Sequence, residues 1–155
     1  MNNRVLFVDD EPNILATYKR MLRKLFTIDT ALGSEQGLTK VANSGTFSVV
    51  VSDLQMPVMN GLTFLCRVKA INPDCACIIL TGKADLQIAI DAVNQGNIFR
   101  FLTKPCESGT LIGTIKDGIE YNKQSMLERE INKKILNLSI KDSLTGCFNR
   151  TYLNT

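Results

Sequence analysis

Polar residues able to handle a phosphoryl group follow short apolar runs at widely separated points of this chain. Asp9 and Asp10 come after VLFV, Asp53 after SVVVS and Lys104 after FRFLT, while Thr81 ends CIILT. Clustered carboxylates raise one another's pKa unless a hard cation such as Mg²⁺ neutralises them. Mg²⁺ commonly takes only one or two carboxylates, together with water and phosphate oxygens. If these residues meet, one carboxylate is left to accept phosphate, so the set predicts phosphoryl chemistry.

The elements that must position these residues alternate between strand and helix. β-rich apolar runs lie at 5–8, 26–31, 48–52, 77–81 and 99–103. Amphipathic stretches of helical length follow them, from Pro12 to Leu25, at 34–43 with Ser34 as N-cap, at 61–71, at 84–95, and from 107 onward. This pattern predicts an α/β fold, (βα)5, with a doubly wound five-stranded parallel sheet. Ligands of such sheets bind at the carboxyl ends of the strands, where the polar residues stand.

Each polar residue also has a plainer interpretation. A single Asp after a strand is usually a helix cap or turn residue, Thr81 alone could be a turn hydroxyl, and Lys104 a solvated charge. Their joint placement at the ends of different strands favours a shared site.

The motifs VDDEP, SDLQMPVMNG, LTG and FLTKP resemble those of two-component receiver domains of the CheY-like kind, over residues 4–120. The resemblance implies strand order 2-1-3-4-5. It implies that Asp53 accepts a phosphoryl group from a phosphohistidine on a sensor histidine kinase or phosphotransfer protein. It also implies that Asp10, Asp53 and the backbone carbonyl of Gln55 bind Mg²⁺, and that Asp9 reaches the ion through water.

Other residues of the resemblance concern the phosphate and the switch. Lys104 would supply a positive charge to the phosphate, and the Thr81 hydroxyl would donate a hydrogen bond to a phosphoryl oxygen. Phe101 corresponds to the aromatic switch position, where the family often has Tyr. Its plainer interpretation is a core phenylalanine.

The composition of the chain limits the classes of protein and the kinds of binding that we expect. The 155 residues suit one domain with an appendage, and 45% are hydrophobic and 21% charged, as in ordinary globular proteins. The net charge of +3 is scattered, and no apolar run could cross a bilayer, so we expect neither nucleic-acid nor membrane binding and a cytoplasmic location. No histidine is present, and the five cysteines form no CxxC pair, so we expect free thiols. Cys75 and Cys77 would act as apolar residues on one strand face.

Residues 121–141 are predicted to form a helical linker. Leu127, Ile131, Ile135 and Leu138 recur at spacings of three and four, while Gly109, Gly113 and Gly118 weaken the earlier part of the helix. The apolar stripe favours a coiled coil in a homodimer that also uses the face of the fourth helix, fifth strand and fifth helix. The alternative is a helix folded back on its own domain.

Residues 142–155 resemble the opening of a diguanylate cyclase (GGDEF) domain, through DSLTGCFNR. The catalytic GGDEF loop is absent from this sequence. We therefore expect the chain, with a receiver domain at 1–120, to be a non-enzymatic part of a regulator of cyclic di-GMP synthesis, showing only self-phosphorylation and slow loss of the phosphate.

Two other functions compete with this one. A pseudo-receiver would act as an interaction scaffold without phosphate, which the complete set of polar residues argues against. A phosphatase of the haloacid-dehalogenase type would need a second Asp two residues after the nucleophile, where Gln55 stands.

Overall fold

The computed structural model describes residues 3–43, 47–96, 98–104 and 106–144, with side chains as far as residue 135. The chain divides into two compact units, Met1–Asn122 and Lys123–Thr155. Among the described residues, no helix is both long and apolar enough to cross a membrane.

The first unit contains a five-stranded parallel sheet, which confirms the predicted (βα)5 fold and strand order. The order across the sheet is β2-β1-β3-β4-β5. The strands are β1 (Arg4–Asp9), β2 (Thr27–Leu32), β3 (Val49–Asp53), β4 (Ala76–Thr81) and β5 (Arg100–Thr103). The helices are α1 (Pro12–Leu22), α2 (Gly33–Asn43), α3 (Gly61–Ile71), α4 (Leu86–Asn94) and α5 (Ser108–Leu144), with a 3₁₀ turn at Lys83–Asp85 before α4.

Two apolar cores cover the two faces of the sheet. Because successive strand residues point to opposite faces, Val50 of β3 packs with Phe64 of α3, while Val51 packs with Leu15 of α1 and Ile115 of α5. Helices α2, α3 and α4 therefore lie on one face, and α1 and α5 on the other. Every residue of β3 is buried, as expected for a central parallel strand.

The start of α2 differs from the prediction. The Ser34 hydroxyl does not cap the helix but donates to the carbonyl of Met59, at 2.9 Å. The helix begins one residue earlier, at Gly33, whose φ of +86° suits glycine, and the Gln36 side-chain oxygen accepts from the Leu32 N–H at 2.9 Å. A tertiary contact with the next loop thus takes the serine hydroxyl away from its local partner.

Other local predictions concern α4 and the cysteines. Helix α4 begins at Leu86 rather than 84, because residues Lys83–Asp85 form a tighter 3₁₀ turn. Cys75 precedes β4 instead of lying on it, and both Cys75 and Cys77 are free thiols buried in the same core. They behave as small apolar residues.

The loop between β3 and α3 closes tightly beside Asp53. The Asn60 side chain caps α3 by accepting from the Thr63 N–H at 2.9 Å, and the Gly61 N–H donates to the Leu54 carbonyl at 2.8 Å. A Cβ atom on Gly61 would lie only 2.2 Å from the backbone oxygen of Asp53. Only glycine lets α3 begin so close to the end of β3.

We predict that Gly61→Ala lowers the free energy of unfolding by about 2 to 4 kcal/mol, because the added methyl must displace the Asp53 backbone. The matched control is Gly82→Ala, since a Cβ there meets nothing within 4 Å and the φ of Gly82 is −79°. Urea unfolding of the three proteins measures the difference. Equal stability of Gly61→Ala and Gly82→Ala would contradict the packing constraint.

Candidate functional site

Three carboxylates meet at the carboxyl edge of the sheet. One carboxylate oxygen from each of Asp9, Asp10 and Asp53 lies within 4.8 Å of the other two. The register explains the meeting, because Val8 of β1 is level with Ser52 of β3, which aligns the next residue of each strand. Asp9 is 2% exposed and Asp53 9% exposed, whereas Asp10 is open to solvent. The cluster is therefore half inside the protein and half accessible.

The buried Asp9 carboxylate has a strongly perturbed pKa. Burial is the largest cause, and with the charge of Asp53 it raises the pKa of Asp9 from 3.8 to about 6. The Glu11 N–H, which donates to Asp9 Oδ1 at 3.0 Å, and the charge of Lys104 act in the opposite direction. The ionised cluster thus carries an electrostatic cost that a cation would relieve.

Among the described residues, Lys104 places a positively charged group at the carboxylate cluster. Its Nζ lies 2.9 Å from Asp53 Oδ1. Burial acts against the charged ammonium, but the hydrogen bond and charge of Asp53 outweigh it and raise the pKa of Lys104. The Lys104 N–H also donates to the Thr81 carbonyl at 2.9 Å, which ties the ends of β4 and β5 together. Lys104 thus stays protonated beside the proposed acceptor.

Thr81 and Phe101 lie on the strands beside Asp53 and Lys104. Thr81 is buried at the end of β4, and its hydroxyl donates to the Gly82 carbonyl at 3.1 Å. Phe101 pairs with Ile79 and packs, half-buried, against the core under α2–α4. Phe101 therefore packs as a core phenylalanine, and its role as a switch residue stays a prediction.

Gln55 makes a contact that the sequence did not suggest. Its side-chain amide donates to Asp85 Oδ2 at 2.8 Å, which bridges the loops after β3 and β4 across the site. The backbone carbonyl of Gln55 stays a predicted ligand. Asp85 was missed because the sequence places it near the start of a predicted helix, where nothing local indicates a partner 30 residues away.

Val58 was also missed, and its backbone is strained. Its φ is +71°, its side chain is 90% exposed, and the Met59 N–H donates to the Pro57 carbonyl around it at 2.7 Å. A β-branched residue in this region is an outlier, and such strain is concentrated at functional sites. No sequence signal marks it, since β-branched residues normally avoid positive φ.

The donor set fits a hard divalent cation. All three groups supplied by Asp9, Asp10 and Asp53 are carboxylate oxygens, which Mg²⁺ prefers over nitrogen and sulfur ligands. Exposed Asp10 leaves the cluster open on one side, so water or a phosphate oxygen could complete the coordination. The arrangement suits a cation that binds the carboxylates and a phosphate oxygen at the same time.

Comparisons with known proteins point to one family. The family described as "Response regulator receiver domain" matches residues 5–116. The chain is 32% identical over 126 residues to the transcriptional regulatory protein GlrR of Escherichia coli strain K12, which covers 81% of the chain and 28% of that protein. It is 28% identical over 127 residues to the DNA-binding transcriptional regulator NtrC of the same strain, covering 82% and 27%. The chain spans about a quarter of the length of these relatives.

Solved structures show the same fold. A crystal structure described as adenylate cyclase from Rhodopirellula baltica is 36% identical with a TM-score of 0.84, covering 86% of this chain and 99% of that chain. A response regulator receiver domain protein from Clostridium thermocellum is 36% identical with a TM-score of 0.72, covering 80% and 98%.

Asp9→Asn should stabilise the metal-free protein at neutral pH by about 1 to 3 kcal/mol. The pKa of Asp9 is raised in the folded protein, so folding favours its protonated form. The cost of ionising it is absent below pH 4, grows between about pH 4 and 6, and is complete above 6. Urea unfolding in excess chelator at pH 4 and pH 7.5 measures this. A gain of equal size at both pH values would show that Asp9 ionisation is not the cause.

Proposed function

The chain belongs to the response regulator receiver domain family, and from this premise we propose that it is a cytoplasmic switch whose Asp53 accepts a phosphoryl group from a sensor histidine kinase or phosphotransfer protein. The observation that carries the proposal is the contact of Lys104 Nζ with Asp53 Oδ1, at 2.9 Å, inside a cluster of three carboxylates. An ion pair beside two further carboxylates, one of which has a perturbed pKa, is the kind of arrangement found at functional sites.

The proposed reaction is a displacement at phosphorus. A carboxylate oxygen of Asp53 forms a bond to the phosphorus of a phosphohistidine, the P–N bond breaks, and the imidazole leaves with the electron pair. Lys104 stays protonated and offsets charge on the phosphoryl oxygens. Asp10, Asp53 and the Gln55 carbonyl, with Asp9 acting through water, would hold Mg²⁺, and the bound ion would supply further positive charge at those oxygens.

We propose that Thr81 and Phe101 change their contacts in response to the negative charge of the phosphoryl group on Asp53. The phosphoryl group carries about two negative charges. The Thr81 hydroxyl, now bonded to the Gly82 carbonyl at 3.1 Å, would turn to donate to a phosphoryl oxygen. Phe101 would then change its packing on β5. Slow hydrolysis of the aspartyl phosphate resets the switch. This reaction removes the chain's own phosphoryl group and is not turnover of a separate substrate.

For the output of the parent protein we propose a diguanylate cyclase. The support is the DSLTGCFNR segment, whose residues from 145 onward lie outside the described part of the chain. A similar structure is itself described as an adenylate cyclase. A DNA-binding output is the second candidate, because GlrR and NtrC are named as transcriptional regulators. Their matches, however, cover only about a quarter of each protein.

We also propose that two copies of the chain pair through the linker helix and the face formed by α4, β5 and α5. In the second unit, Leu127, Ile131 and Ile135 are each about half-exposed along one stripe of the helix. Leu138 continues the stripe in sequence, and its side chain lies outside the described residues. A second copy of the same stripe would bury these side chains.

Acetyl phosphate with Mg²⁺ should add one phosphoryl group to the chain, measured by intact mass spectrometry, because the cluster needs only a small donor. Asp53→Asn should abolish the addition while circular dichroism shows an unchanged fold. Labelling that survives Asp53→Asn, or that persists in excess chelator, would overturn the assignment. No labelling of a folded wild-type chain would favour the scaffold that acts without phosphate.

Beryllofluoride, a phosphoryl mimic, should shift the chain toward dimer in sedimentation experiments. Leu127→Asp combined with Ile131→Asp should weaken dimerisation at least tenfold, since charges enter the apolar seam. The control is Asn132→Asp, which adds a charge beside the stripe. A wild-type monomer with and without the mimic would refute pairing, and equal effects of the control would refute the stripe as the seam.

A further inference from the structure

The last turns of α5 in the first unit are held by cationic and aromatic side chains at the amino edge of the sheet, opposite the carboxylates. We call this group the exit clamp. It consists of Lys69, Phe99, Arg100, Asp117 and Tyr121. None of these residues belongs to the phosphorylation site, and the sequence motifs did not single them out.

Two pairs of these side chains join α5 to the start of β5. The rings of Phe99 and Tyr121 lie 5.0 Å apart between centroids, tilted by 40°. The Arg100 guanidinium lies 5.0 Å from the centroid of the Phe99 ring and pairs with the Asp117 carboxylate. Asp117 and Tyr121 are four residues apart and share one helix face, so this face holds two consecutive residues of the β5 segment.

Lys69 joins α5 to the end of α3. Its ammonium donates to Tyr121 Oη and to the Pro73 carbonyl, both at 3.2 Å, and lies 5.1 Å from the centroid of the Tyr121 ring. The next residue of α5, buried Asn122, donates from Nδ2 to the Asp74 carbonyl at 2.8 Å. Three elements therefore meet where the first unit ends, at Asn122.

The clamp and the phosphorylation site lie at opposite ends of the same short strand. β5 runs from Arg100 to Thr103, and Lys104, which contacts Asp53, follows directly. The four residues of β5 are paired with β4 from Arg100 to Thr103, so one short, continuous segment connects the two sites. In the coupling proposed below, a displacement of Lys104 by phosphate is carried along this segment to Phe99 and Arg100.

The contacts of the exit clamp together hold α5 in one position, but each is weak enough to be broken and replaced by another. Arg100, Asp117 and Tyr121 are exposed. Exposed ion pairs and exposed cation–π contacts each contribute little to stability, because water screens the charges. A joint made of such contacts can be repacked by the differential binding energy of one phosphoryl group.

We propose that the exit clamp is the joint that couples β5 to α5, so that phosphorylation of Asp53 repacks residues 117–122 through Phe99 and Arg100. This inference rests on the proposed function. It assigns Tyr121 and Lys69 as residues that position α5 for signalling, at the sheet edge remote from the phosphate.

The test is hydrogen–deuterium exchange of α5 amides with Mg²⁺, with and without beryllofluoride, while ¹⁹F NMR reports the adduct on Asp53. In the wild type, protection of residues 117–122 should change by about threefold or more when the adduct forms. Tyr121→Ala should form the adduct equally well but lose that change. Tyr121→Phe, which keeps the ring and loses the bond to Lys69, should retain a reduced change.

Tyr121→Ala could loosen α5 by itself, so Lys69→Met provides a second variant that leaves the helix sequence intact. It removes both contacts of the ammonium with Tyr121 and should also diminish the response. A wild-type response in Tyr121→Ala or in Lys69→Met, or no response of wild-type α5 to a bound adduct, would overturn the coupling. Absence of the adduct in the wild type would instead overturn the proposed function, and the coupling with it.

Discussion

Repulsion between carboxylates at the carboxyl edge of the sheet is the constraint around which the described structure is arranged. Asp9 and Asp53 are both buried because β1 and β3 are central strands covered on two faces. The backbone register holds the ends of β1 and β3 side by side, so the two side chains begin close together. The Lys104 ammonium offsets part of the repulsion. The pKa of Asp9 is still raised, chiefly by burial and then by the charge of Asp53, so ionising Asp9 carries a cost. That residual cost favours the binding of a cation at this edge.

The loops around the cluster show how the backbone accommodates it. Gly61 lets α3 begin against the Asp53 carbonyl, and Val58 takes a positive φ two residues before the Asn60 cap. The Gln55–Asp85 hydrogen bond joins the neighbouring loop from the other side. These features hold Asp53 at a defined position while Asp10 stays open to solvent. The proposed acceptor is thus held in place and open to approach, as the proposed phosphotransfer from a partner protein requires.

β5 connects two groups of contacts at opposite edges of the sheet. Its carboxyl end leads into Lys104 at the carboxylates, and its amino end begins beside the aromatic contacts of Tyr121. Helix α5 belongs to the first unit as far as Asn122 and continues to Leu144. Because the sheet is parallel, all strand carboxyl ends share one edge, and the opposite edge is free for contacts with the outgoing helix.

The periodicity of apolar residues in the sequence predicted the fold, and the placement of polar residues at strand ends predicted the grouping of Asp9, Asp10, Asp53 and Lys104. The strand order followed from the resemblance to receiver domains. These follow from the sequence because burial on a parallel sheet imposes a repeating pattern and sends strand ends to one edge. Tertiary structure alone decided the partner of Ser34, the Gln55–Asp85 bridge and the exit clamp, since each joins residues far apart in sequence. It also explained Gly118, which lowers helix propensity but lets α5 approach β3, where a Cβ would lie 2.9 Å from Val49 Cγ2. A sequence records which residues can make a contact, but only the folded chain brings the two partners together.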